Sequence, residues 1–167
     1  MGVKCFVGRG GRQMASIIEV LAVSELFKGL SDEELEKVAA LGREEVYRAG
    51  TVIFTEGSVA EDFYILDEGK VALDMSLTPT PGVGRRVTVD TMNRGQSFGW
   101  SAVGGTPVHT TSARCLGPVK VIAIDGKRLQ SLLDENPYLG YRVMARLAAL
   151  VSSRLKQMRM TLRVFHR

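Results

Sequence analysis

After Gly42 the apolar residues stop recurring at helical spacing and begin to alternate, and this change of period constrains the fold more than any other feature of the chain. A first run passes through Val46 and Arg48. Val52 and Phe54, then Val71, Leu73, Met75 and Leu77, then Val87 and Val89, and finally Val119, Val121 and Ala123 place apolar side chains at every second residue. Successive side chains of a strand point to opposite faces, so each run predicts a strand with one buried face. Turn residues separate the runs at Gly50, Glu56-Gly57, Glu68-Gly69, Gly95 and Gly117-Pro118. Many short strands at such intervals close into a sandwich or barrel. The longest irregular piece, Thr78 to Gly84 with two prolines, reads as a surface hairpin loop.

Helical signals flank this β region on both sides. Ile17, Ile18, Leu21 and Leu26 suit a short amphipathic helix between Ala15 and Lys28, and Ser31 with Glu34 forms a capping-box signal ahead of Leu35, Val38 and Leu41. Beyond the last strand Asp125 stands at an N-cap position before Leu129, Leu132 and Leu133, and Pro137 opens a run that nothing breaks as far as Arg167. Along it Tyr141, Met144, Ala148, Val151, Leu155, Met158, Leu162 and Phe165 recur in steps of three and four, the pattern of a coiled-coil seam. A helix of this length, rising ~1.5 Å per residue, outreaches a small β-barrel. Its far half is expected to meet a second copy in a two-fold dimer, with Met144, Val151, Leu155, Met158 and Leu162 at the seam.

The predicted fold is α+β and mainly β: a β-roll or jelly roll of about eight strands, two short N-terminal helices and a long C-terminal dimerisation helix. Residues 1–13 are expected to form a basic, glycine-rich, disordered extension. Residues 14–167 form the domain, with the roll over about 43–125 and the C-terminal helices over 126–167.

Composition narrows the function. With 45% hydrophobic and 24% charged residues the chain is of soluble globular type. It contains no apolar run long enough to span a membrane or to serve as a secretory signal, so a cytoplasmic location without membrane association is expected. Cys5 and Cys115 lie far apart and neither belongs to a CxxC pair, which argues against a disulfide framework or a zinc site. Basic residues without acids concentrate at 1–13 and 141–167, while 14–140 carries all eighteen acids. Positive charge on a terminal helix complements its dipole and reads as solvated. Two histidines, His109 on an expected strand and His166 at the end, are too few for a metal enzyme of the cupin kind, and Cys115 with His109 make only weak haem-ligand candidates. The sequence holds no GxxxxGK[ST], HExxH or GxSxG. Catalysis, metals and fixed cofactors are not expected.

Specific residues carry a family resemblance. Leu26-Phe27-Lys28-Gly29-Leu30-Ser31 with Glu34-Leu35, and then Gly50, Ile53, Glu56-Gly57, Tyr64-Ile65, Gly69 and Val71, resemble the cyclic nucleotide-binding domains, in particular the sensor half of the catabolite activator class. The resemblance covers about residues 24–155. It implies a ligand-sensing regulatory module whose phosphate-binding cassette is Phe98-Gly99-Trp100-Ser101-Ala102, continuing through His109, Thr110 and Thr111 to Ser112-Ala113. In that family a glutamate takes the ribose hydroxyl and an arginine the cyclic phosphate; Trp100 and His109 stand at those positions here.

An indole donates one N–H and accepts nothing, so Trp100 cannot replace a carboxylate. His109 is mostly neutral at pH 7. The backbone after Gly99 and the hydroxyls of Ser101, Thr110, Thr111 and Ser112 remain available to a ligand. A possible cyclic nucleotide or other small anionic effector is therefore expected to bind weakly or in altered form, and a ligand-free dimeric adaptor is the alternative. The activator class continues into a helix-turn-helix; this chain ends at Arg167, so specific DNA binding by it is not expected, and signalling through an unidentified protein partner is.

Overall fold

The computed structural model describes residues 5–6, 11–77 and 84–164. Its elements are β1 (Cys5–Phe6), α1 (Gly11–Val23), α2 (Asp32–Ala39), β2 (Gly42–Tyr47), β3 (Val52–Phe54), β4 (Asp62–Glu68), β5 (Val71–Ser76), β6 (Arg86–Met92), β7 (Ser97–Phe98), a single 3-10 turn at Trp100–Ala102, β8 (Ser112–Cys115), β9 (Val119–Asp125), α3 (Gly126–Glu135) and α4 (Pro137–Val164). Two antiparallel sheets face each other, one ordered β1-β2-β9-β4-β7 and the other β3-β8-β5-β6. The roll expected from the alternating runs is thus present, with eight strands from β2 to β9.

The local signals explain the helix boundaries. The Ser31 side chain accepts from the Glu34 N–H while the Glu34 carboxylate accepts from the Ser31 N–H, which completes the capping box of α2. Asp125 caps α3 by accepting from the Arg128 N–H at 2.8 Å. The first helix differs from the expected 15–28. It stops at Val23 because Ser24, fully buried, turns its hydroxyl onto the Leu21 carbonyl at 2.7 Å and accepts from the Phe27 N–H, while the Glu25 N–H goes to the Gly95 carbonyl. Part of the extension expected to be disordered is built into the fold. Cys5–Phe6 pairs antiparallel with Val46 and Glu45 of β2 and covers that strand's open edge, and α1 begins at Gly11.

The core has two parts separated by β4 and β9. Phe63, Ile65, Ile122 and Ile124 face a helix-side core built with Leu21, Leu26, Phe27, Val38, Leu129, Leu139 and Val143. Their neighbours Tyr64, Leu66, Val121 and Ala123 face the interior of the roll, where Phe54, Val71, Met92, Phe98 and Cys115 lie. Both strands are therefore buried on both faces, and each fully buried Leu, Ile or Phe adds roughly 1.5–3 kcal/mol to the drive for folding.

The long helix is tied to the body by its arginines. Arg142 donates to the Gly29 carbonyl at 2.8 Å and pairs with Glu34 at 3.1 Å; Arg146 donates to the Lys28 carbonyl; Arg154 pairs with Glu25 at 2.8 Å and Asp90 at 3.5 Å. These cations are not simply solvated, as the acid-free terminal stretch suggested. They bind carbonyls and carboxylates supplied by the body. The exposed stripe and the inward stripe of α4 are one residue apart. Leu139, Val143, Leu147, Leu150 and Arg154 turn inward, whereas Tyr141, Met144, Ala148, Val151 and Leu155 are exposed. The side chain of Leu162, with Phe165 and His166, falls outside the described residues. Among the described residues no helix is long and apolar enough to cross a membrane.

Candidate functional site

A cavity of about 180 Å³ opens between the roll and α4. Phe98, Gly99, Trp100, Ser101, His109, Thr110 and Thr111, all singled out in the sequence, line it together. The structure adds Phe54, Leu73, Val89 and Asp90 from the roll, and Arg154 and Met158 from α4. Ala102 is elsewhere: it packs into the helix-side core, and its carbonyl lies so close to Gly126 that a side chain there would clash at 2.1 Å. Ser112 is also outside, buried with its hydroxyl accepting from the Glu56 N–H at 2.9 Å. Met158, expected at a dimer seam, contributes to the cavity wall and is only partly exposed.

The turn after β7 depends on Gly99, whose φ of 75° is left-handed and whose missing side chain would come within 3.0 Å of the Asp62 carbonyl and the Tyr64 ring. This turn delivers Trp100 to the cavity edge. The indole N–H donates to the Ser97 hydroxyl at 3.1 Å, and the Ser97 hydroxyl and N–H both donate to one oxygen of Glu25, at 3.0 and 2.9 Å. The Arg154 guanidinium lies 4.8 Å above the indole and donates to that same Glu25 oxygen. Trp100, Ser97, Glu25, Arg154 and Asp90 thus form a connected polar cluster that holds α4 against the cavity. A partly desolvated cation over an indole adds roughly 0.5–2 kcal/mol to the ion pairs.

His109 lies in the connecting segment before β8 and not on a strand as expected. Its N–H donates to the Ser58 carbonyl at 2.9 Å and its carbonyl accepts from the Gly57 N–H at 2.8 Å, which fixes the backbone. Its ring stacks on Phe54 with centroids 3.6 Å apart and planes 5° from parallel. Burial pushes its pKa below the ordinary value of 6.5, against a smaller opposing pull from the Asp62 carboxylate, so the ring is neutral at pH 7.

Two consequences can be measured. Because unfolded His109 takes up a proton near pH 6.5 while the folded ring resists it, stability falls as the pH drops from the unfolded value through the folded one. Thermal unfolding at a series of pH values should show His109→Gln losing less stability on acidification than the wild type; parallel curves would refute this. Arg154→Ala should leave Glu25 and Asp90 without their cation and loosen the far half of α4 at a cost of about 2–3 kcal/mol, less than the ~3–5 kcal/mol of a fully buried pair because both carboxylates keep some water and their hydrogen bonds from Ser97 and Thr91. Hydrogen exchange should accelerate over residues 150–164 before it does in β9; unchanged exchange there would show that the cluster does not hold the helix.

Sequence reading missed Arg154, Asp90 and Glu25. One signal pointed to Arg154: it follows Val143, Leu147 and Leu150 on the inward stripe, where a cation requires a partner.

Comparison with known proteins places this geometry. The cyclic nucleotide-binding domain model matches residues 44–136. Among solved structures, one from Geobacter metallireducens GS-15, described as a cyclic nucleotide-binding protein, is 35% identical, with 82% of this chain and 96% of that one covered at a TM-score of 0.70. The Thermus thermophilus catabolite activator protein is 24% identical over 86% of this chain and 63% of its own, TM-score 0.69, a likeness of fold. Among curated proteins, the Drosophila melanogaster cGMP-dependent protein kinase, isozyme 1, is 28% identical over 127 residues, which is 75% of this chain and 16% of the kinase. The chain therefore matches a small part of such relatives. With the roll, the glycine-dependent turn and the cavity beside it in place, the chain belongs to the cyclic nucleotide-binding domain family.

Proposed function

We propose that the protein is a non-enzymatic, ligand-sensing regulatory module in which an altered cassette has given up tight cyclic-nucleotide binding, and in which α4 carries the state of the cavity to a second copy. The observation that carries this reading is the position of α4. Arg154 and Met158 line the cavity, while Val151 and Leu155, one helical step away, present an exposed apolar stripe. A ligand that displaces Arg154 or Met158 alters the presentation of that stripe, which is a helix shift at a subunit seam. A small-molecule effector, a homodimer through α4 and a downstream protein partner follow.

A second reading, a dimeric adaptor without a ligand, draws on Trp100: its N–H is satisfied internally and its face is covered by Arg154, so the indole is stable where it stands. A thermal-shift screen with cyclic nucleotides, small anions and small neutral compounds separates the two. A true effector at a hundred times its dissociation constant adds ~2.7 kcal/mol to stability, a clear rise in Tm. Failure of every compound to shift Tm favours the adaptor.

A further inference from the structure

We infer that the cavity takes a small uncharged ring compound, about one ring in size, and not a phosphorylated nucleotide. This rests on the reading of the cavity as a sensor site. Size is the first argument. At about 180 Å³ the space falls below the ~300–1,000 Å³ of pockets that hold drug-sized ligands and near the ~150 Å³ apolar cavity that accepts benzene.

The wall is the second argument. Phe54, Phe98 and Trp100 supply rings, and Leu73, Val89 and Met158 supply aliphatic and thioether surface. Charge is the third. Among the described residues lining the cavity, Arg154 is the one cation and Asp90 the one carboxylate, and they are paired at 3.5 Å, with Glu25 also on Arg154 at 2.8 Å. An anion entering would have to compete with two carboxylates for that guanidinium, and an ammonium would have to compete with the guanidinium for Asp90. An uncharged ring leaves both pairs intact and acts on α4 through Met158. The hydroxyls of Ser101, Thr110 and Thr111 and the His109 imidazole offer neutral hydrogen bonds that can orient a ring hydroxyl or ring nitrogen.

The chain's single tryptophan lines the cavity, so its emission reports occupancy directly. The full chain is titrated at neutral pH with phenol, benzoate, benzylamine and cyclic AMP while Trp100 emission is followed with excitation at the red edge of the indole band. Phenol should saturate with a dissociation constant about tenfold or more below those of benzoate and benzylamine. Val89→Phe, which fills the cavity from a strand that tolerates aromatics, should abolish the phenol response while unfolding at a similar temperature. His109→Arg, which adds a cation, should reverse the order so that benzoate binds more tightly than phenol. A phenol response that survives Val89→Phe, no phenol response, or a charged ring preferred by the wild type overturns the inference. Tight cyclic AMP binding by the wild type overturns the altered-cassette reading as well, whereas loss of phenol binding alone leaves that reading standing.

Discussion

Replacing Trp100 by glutamate and His109 by arginine together should raise the affinity for cyclic AMP by more than about a hundredfold over the wild type, far more than either substitution alone. On the proposed reading of the cassette, the position assigned to ribose holds an indole whose N–H is committed to Ser97, and the position assigned to phosphate holds a neutral imidazole stacked on Phe54. Arg154 does not make good the loss, because Glu25 and Asp90 already hold it. A missing charged partner to a phosphate costs ~2–5 kcal/mol, and a missing hydrogen bond to a charged acceptor ~1.5–3 kcal/mol. The lower ends together already exceed two factors of ten at ~1.4 kcal/mol each. Glutamate at position 100 also removes the bulk of the indole from the small cavity. Calorimetry on the two single variants and the double variant is the check, and a double variant no better than the wild type would mean that the cavity, not the two side chains, forbids the nucleotide.

Glutamates at Val151 and Leu155 should convert the protein from a dimer to a monomer. Both side chains are close to half exposed on one copy, at 43% and 48%, and Tyr141, Met144 and Ala148 extend the same stripe. Met158 is left alone because it lines the cavity. A polar group buried without a partner costs ~1–3 kcal/mol, and a two-fold seam receives both substitutions twice, so dissociation is favoured by about 4 kcal/mol or more, close to a thousandfold. Sedimentation at micromolar protein reads the result. A wild-type monomer would end the dimer reading, and a variant that remains dimeric would place the contact elsewhere.

The parts of the fold legible in the sequence are those governed by local chemistry. The Ser31 capping box and the Asp125 N-cap depend on hydrogen bonds within four residues, the Pro137 start on the fixed φ of proline, and β5 is legible from Val71 and Leu73, which face the roll interior, although Ala72 and Asp74 on its other face are buried as well. β4 was not legible as an alternating run. Phe63 and Ile65 face one core and Tyr64 and Leu66 another, so both faces are apolar and the period of two disappears. Within the site, the cassette residues of the turn and the following segment could be found because they follow the cassette pattern of the family the chain resembles. The acidic partners could not: Glu25 and Asp90 come from distant elements, and only the tertiary fold brings them to Arg154. The same holds for the α4 surface, where two stripes one residue apart divide the helix between its own domain and an exposed face.

Titrating the unmodified protein with cyclic AMP and cyclic GMP in a calorimeter at neutral pH decides whether Trp100 and His109 have removed this cavity from tight cyclic-nucleotide recognition. A flat isotherm at micromolar nucleotide is the predicted result; a saturable isotherm in that range, with one site per chain, would contradict it.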